Sequence, residues 1–321
     1  MTEQRGVVVG YDGSDFSMQA LDWAMDECEL RRSPLTVTHA WRWPYGDAPE
    51  EARLHLRKAA DHVLYHGAEC ARSCSAVGAV TADLYEGSAS GRLVELSEGA
   101  DVVVVGSRGL GSLARSVVGS VTAHVAAHAR APVVVVRGPG PIPVPAEPGP
   151  VVLGLDPAAP DEVVEFAFRE AALRRLRLAA VHAAGPEPMR PPAAEPVPGS
   201  GGAEPGAGGG GTAGGAVRER MEERLAPWRE RYPDVPVETR VVAGPARETL
   251  EDASAGAVLL VVSAGGSRRP GRLGTVAREM IEGSRCPVAV VPVPADERPG
   301  SRQEADEGVR EGHTVPSRHD G

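Results

Sequence analysis

Lysine is almost missing from this chain: Lys58 is the only one in 321 residues. A Walker-type loop needs a lysine on the phosphates, and no G-x-x-x-x-G-K-[ST] string occurs. Positive charge is short overall, with a formal net charge of -10. Nucleic-acid and anionic-membrane surfaces reward clustered Lys and Arg, so neither is expected as a partner. No apolar run approaches the length of a membrane span. Met1 to Arg5 leads into Val7, Val8 and Val9 without the hydrophobic region of a signal peptide. The four cysteines, Cys28, Cys70, Cys74 and Cys286, include no C-x-x-C pair, and Cys70 and Cys74 read as small core residues on one helix face. These absences point to a reducing, cytoplasmic setting. Catalytic constellations are missing as well: no nucleophile elbow, no H-E-x-x-H, no paired carboxylates in a motif context.

What is present is an internal duplication. Val7 to Asp12 (VVVGYD) recurs as Val151 to Asp156 (VVLGLD), and Pro132 to Val136 recurs as Pro287 to Val291. The first copy reads as strand 7–11, helix 14–30, strand 35–41, helix 49–75, strand 79–85, helix 88–97, strand 101–105, helix 120–129 and strand 132–136. Strands alternating with helices imply a parallel sheet covered on both faces. The domains expected are 1–137 and 150–294, joined by a Pro/Gly linker at 138–149. A Gly/Pro-rich insertion at 185–216 and the tail 295–321 are expected to be disordered.

The most informative spacing is Gly106, Ser107, Arg108, Gly109, then nine residues, then Gly119 and Ser120. It follows the buried-strand run Asp101 to Val105 and precedes a helix opening at Ser120, read as a good N-cap residue. Small-residue turns between a strand end and a helix N-terminus let backbone N–H groups close around an anion, favoured by the helix dipole. A β-carbon at Gly109 or Gly119 would intrude on such a contact or forbid its dihedral angles. Ser120 offers a hydroxyl to a phosphate oxygen. Arg115 could supply the cation that lysine does not.

With G-x-x-G, nine residues and G-[ST] in place, the first copy resembles a universal stress protein domain, and the whole chain resembles a tandem member of that family. The closing Pro132 to Val136 strand and the Val9-Gly10-Tyr11-Asp12 opening match as well. The resemblance covers residues 5–137 closely and 150–293 mainly at the ends. It implies an α/β fold of two tandem doubly wound domains, each a five-stranded parallel sheet of strand order 3-2-1-4-5, and in one branch ATP, with Mg²⁺, as ligand. Carried over, Asp12 would approach the ribose or metal, with Gly10 permitting close approach beside it. The backbone of Ala40 would face adenine. Gly106 and Gly109 would clear space for ribose and phosphates, and Gly119, Ser120 and the Val121 amide would hold the terminal phosphates.

In the second copy Ser263 stands at the first glycine position, seven residues separate Gly266 from Gly274, and Pro270 stiffens the stretch. That site is expected to be weak or lost, although Asp156 persists. Plainer readings stand beside these: Asp12 as a turn or helix cap, His62, His66, His124 and His128 as structural or solvent-facing, His39 as a local bonding partner, Trp41 and Trp43 as packing. No metal site is expected from the histidines.

Three functions follow as expectations: an ATP-binding regulator of the stress response, a slow ATP hydrolase or phosphotransferase using the same loop, or a scaffold with a vestigial loop. The strands 132–136 and 287–291 leave ladder groups that need a partner. They are expected to pair within the chain as a pseudo-dimer, and a homodimer is left open.

Overall fold

The computed structural model describes residues 5–43, 46, 49–109, 118–137, 148–185, 212–265 and 272–293. The first half runs β1 (Gly6–Gly10), α1 (Asp15–Arg31), β2 (Leu35–Trp41), α2 (Glu50–Cys74), β3 (Val80–Glu86), α3 (Ala89–Leu96), β4 (Ala100–Gly106), α4 (Ser120–His128) and β5 (Val133–Val136). The second runs β6 (Val151–Gly154), α5 (Asp161–Arg174), β7 (Leu178–Ala183), α6 (Thr212–Arg231), β8 (Val237–Val242), α7 (Ala246–Ala253), β9 (Leu259–Ser263), α8 (Thr275–Gly283) and β10 (Val288–Val291).

Side chains on a strand alternate between faces. Val7 and Val9 therefore join one buried layer with α1, while Val8 joins Leu93 of α3 and Val125 of α4 in the other. With both faces covered, valine runs such as Val102 to Val105 are apolar throughout rather than alternating. Each half has the expected order, β3-β2-β1-β4-β5 and β8-β7-β6-β9-β10, and all pairings within a half are parallel.

The halves are not two separate sheets. β5 pairs antiparallel with β10, Val133 against Val290 and Val135 against Val288, which makes one sheet of ten strands. Each strand thereby satisfies the other's open edge, as the sequence reading required. Because that seam is antiparallel, the carboxyl edges of the two halves lie at opposite ends of the sheet. A second difference concerns the insertion: α6 begins at Thr212, inside the segment expected to lack structure. Residues 186–211, most of the linker and the tail lie outside the described residues.

The helices α1 and α5 hold the halves together across the same seam. Glu27 and Arg31 on α1 meet Glu170 and Arg174 on α5 in a closed ring of four ion pairs, each arginine bonded to both glutamates. Both carboxylates are 0% exposed and the guanidiniums 7% and 9%. Burial alone would lower the two arginines, but the facing Glu170 and Glu27 carboxylates raise them above the ordinary value. Both helices end alike, on Arg32 and Arg175 in the left-handed region, φ 53° and 54°.

At the β2–β3 edge, Asp83 accepts from Thr38 Oγ1 (2.6 Å) and from both Nε and Nη2 of Arg92 (3.0 and 2.8 Å). The Arg92 hydrogen bond, with help from Thr38, holds the Asp83 carboxyl below its ordinary range. A lowered carboxylate contributes stability that is present above its unfolded pKa and lost as pH falls through its folded value. Asp83→Asn is therefore expected to cost about 1.5–3 kcal/mol in urea denaturation near neutral pH, the range of hydrogen bonds to charged groups. The gap to wild type should close in acid. A gap that persists undiminished below about pH 2 would contradict an ionic origin.

Candidate functional site

The first half's carboxyl edge opens where β1 stops short of β2. The last ladder bond runs from Tyr11 N to Thr38 O (2.9 Å), so Ala40 of β2 stands past the end of β1. The chain then turns through Asp12 and Gly13, whose φ of +80° is the left-handed conformation that glycine adopts freely. Asp12 Oδ1 accepts from Ser14 N (3.0 Å) and Ser14 Oγ (2.6 Å), and Ser14 Oγ in turn accepts from Ser17 N and caps α1. The turn reading of Asp12 is thus realised, and it fixes the carboxylate at the sheet edge.

Tyr11 is buried beneath α2, where a β-carbon on Gly67 would lie 2.6 Å from its ring. Its hydroxyl bonds His66 Nδ1 (3.0 Å), and burial, then Cys70 and Asp12, push its pKa up. His39 Nδ1 bonds the Tyr11 carbonyl at 2.8 Å, and His182 repeats that bond to Leu155 in the second half. His39 is thus a local bonding partner, as expected.

After β4 the chain leaves and returns. Ser107 N donates to Val136 O (2.8 Å), Gly119 N donates to Ser107 O (3.0 Å), and Thr122 Oγ1 donates to Gly106 O (2.7 Å). A β-carbon on Gly109 would sit 2.5 Å from Asp12 Oδ2, and one on Gly119 would sit 3.5 Å from the Arg108 Cα. Asp12, Gly109, Arg108 and Gly119 therefore form one contiguous group. α4 starts from it with Gly119 as N-cap and no side-chain cap. The helical ladder supplies no acceptor for the first-turn N–H groups, which include Ser120 and Val121.

Four expectations are corrected by this geometry. Ser120 is the first helical residue rather than the cap, and its side chain is exposed. Gly119 has φ -60° and ψ 144°, open to any residue, so no unusual dihedral demands glycine there. Gly106 clears space for the chain itself: a β-carbon would lie 2.7 Å from the Phe16 carbonyl oxygen of α1. Gly10 is packed closely but less severely, its missing β-carbon facing the Leu93 side chain at 3.1 Å, and Gly154 repeats that contact with Leu250. Both positions are set by core packing, which a spacing pattern does not distinguish from ligand clearance.

Arg115 lies outside the described residues. A cation the sequence reading did not single out is described within the motif: the Arg108 guanidinium lies 5.5 Å over the Phe16 ring of α1. Its place within the Gly106 to Gly109 motif was the available signal. Trp41 is buried, and Trp43 Nε1 bonds the Gly46 carbonyl. Among the described residues no cluster of three or more His, Cys, Asp or Glu side chains is arranged for a metal ion.

The second half keeps the frame. Asp156 Oδ1 accepts from Ala158 N (2.9 Å), and Gly274 N donates to Ala264 O (2.7 Å). Its return is tighter: Gly265, at φ +144°, would place a β-carbon 3.0 Å from Gly274 N. Gly266 and Pro270 lie outside the described residues. A groove of about 910 Å³ reaches that return across the seam, lined by Gly265, Arg272 and Val291 of the second half and by Asp101 and Pro132 of the first.

Fold and site together define a tandem doubly wound α/β protein with a glycine-bounded strand-to-helix loop on the carboxyl edge of its first domain. The chain belongs to the universal stress protein family, whose model matches residues 4–137 and 149–292. It is 32% identical over 306 residues to Universal stress protein Rv2005c of Mycobacterium tuberculosis, covering 90% of this chain and 97% of that one. A universal stress protein of Mycolicibacterium smegmatis is 33% identical over 304 residues, with 89% and 96% covered. The crystal structure of a universal stress protein from Archaeoglobus fulgidus aligns over 91% of this chain and 97% of its own, with a TM-score of 0.65 and 17% identity, a likeness of fold. No described helix is long and apolar enough to cross a membrane.

Proposed function

We propose that the first domain binds an adenine nucleotide, ATP with Mg²⁺, and that occupancy regulates the protein's contacts in the stress response. The observation that carries this reading is the juxtaposition of the first turn of α4, which has no side-chain cap, with Asp12, across Gly109, where a β-carbon would displace the Asp12 carboxylate. An N-terminal turn with free N–H groups suits a phosphate, and the dipole favours its charge. The residues present fit the ligand without a lysine. The Ser120 and Val121 amides and the Ser120 hydroxyl would hold phosphate oxygens, Gly119 would leave their approach open, and Arg108 would balance charge. Ala40, past the end of β1, would border the base, and Asp12 would meet a ribose hydroxyl or the metal.

The reading is of a ligand held rather than rapidly turned over. Asp12 Oδ1 is committed to the Ser14 N–H and hydroxyl, which suits a fixed carboxylate better than a general base. Regulation then follows from differential affinity: ATP shifts the protein only insofar as it binds one conformation more tightly than another.

Native mass spectrometry of the purified chain is expected to show one adenine nucleotide, absent from Gly119→Val. A wild-type chain that carries none, and retains no ATP in equilibrium dialysis at millimolar ligand, overturns the proposal. Recovery of ADP in excess of protein from a long incubation would instead favour a slow hydrolase.

A further inference from the structure

The helix α2 carries a feature outside the nucleotide reading. Cys70 and Cys74 are one turn apart, both free, with Sγ atoms 3.9 Å from each other. Cys70 is half-buried and packs against the core, as the sequence reading expected, whereas Cys74 is exposed, which corrects that expectation for Cys74. We propose that these two sulfurs form a clamp for a thiophilic d¹⁰ metal ion of the Cu⁺, Zn²⁺ or Cd²⁺ class.

The separation decides between the two chemistries open to a pair of thiols. A disulfide needs sulfurs about 2.05 Å apart and β-carbons about 3.5–4.5 Å apart. Residues four apart on a helix hold their β-carbons about 5–6 Å apart, so a disulfide would require α2 to unwind. A tetrahedral metal with bonds of about 2.3 Å to sulfur spans about 3.8 Å between two sulfurs, close to the distance found. Soft thiolate ligands select this class of ion. Burial, then the adjoining Cys74 thiol and the Asp22 carboxylate of α1, push the Cys70 thiol above its ordinary value, and the negative groups among these causes favour a cation beside it. No third His, Cys, Asp or Glu among the described residues closes on the pair, so the protein would supply two ligands and water the rest.

Binding moves no electrons. Each sulfur exchanges its S–H bond for a metal–sulfur bond, and two protons pass to solvent per ion bound. The other two cysteines do not compete, because both are enclosed in the core and lie far apart on α1 and before β10.

The full-length chain, kept reduced with a phosphine under anaerobic conditions, is titrated with Cd²⁺ alone. A sulfur-to-metal ultraviolet band is expected to saturate at one ion per chain. Either Cys70→Ser or Cys74→Ser should weaken binding at least tenfold, whereas Glu69→Gln on the same helix should not. In the unaltered chain, Cd²⁺ should protect both thiols from alkylation together, a readout that does not depend on any variant folding. No band in excess Cd²⁺, a band that survives in the Cys70→Ser/Cys74→Ser double variant, or protection of neither thiol overturns the proposal.

Discussion

Arg174→Met should unfold at a markedly lower denaturant midpoint, a loss of about 3–5 kcal/mol, the range found when one partner of a buried ion pair is removed. Its guanidinium bonds both Glu27 and Glu170, and both carboxylates are fully enclosed. Removing it leaves both buried carboxylates bonded to Arg31 alone, with Arg169 acting on Glu170 from farther off. The penalty comes from stranded charge rather than from lost attraction, and this has a consequence. Replacing all four residues together with Leu and Met should be close to neutral or stabilising, since no charge is left behind. Urea titrations of the single and quadruple variants separate the two effects. Trp23, with Arg174 stacked 5.4 Å from its ring, reports the local change by fluorescence. A single variant costing under about 1 kcal/mol would mean that water reaches the ring and that its charges are solvated. Because α1 and α5 belong to different domains, the single variant also tests whether this contact, beyond the β5–β10 ladder, couples them.

The second large effect is expected in binding rather than stability. A β-carbon at position 109 meets Asp12 Oδ2 at 2.5 Å. The neighbour that must yield is the end of a side chain, so Gly109→Ala should fold with little change in melting temperature. The Asp12 carboxylate would nevertheless be driven from the position in which Ser14 holds it. Nucleotide affinity is expected to fall about a hundredfold, equivalent to about 2.7 kcal/mol, measured by calorimetry with ATP. Gly106→Ala makes the contrast, since there the β-carbon meets the Phe16 backbone, which cannot swing aside. That variant should lose stability. Unchanged ATP affinity in Gly109→Ala would remove Asp12 from the site.

Much of this protein was legible without a structure. Apolar runs such as Val102 to Val105 mark strands enclosed on both faces, and their repetition marks two copies of one unit. The parallel order of each half, and the need of β5 and β10 for a partner, follow from connectivity and from unpaired ladder groups. The elements that flank the loop, β4 ending at Gly106 and α4 starting at Ser120, were legible too, because their spacing is fixed.

Other features were decided only by tertiary packing. Glu27 and Arg31, four residues apart on a helix, read like any exposed ion pair; they are buried because α5 presents the matching pair across the seam. Gly10 and Gly106 look like ligand clearances in the sequence, yet their β-carbon space is taken by Leu93 and by the Phe16 backbone. The exposure of Cys74 depended on which face α2 turns to the sheet. Sequence determined the elements and their order, since these rest on local preference and periodicity. Which side chains meet was settled by the folded chain, because contacts between residues 27 and 170, or 12 and 109, exist only once the sheet has brought them together.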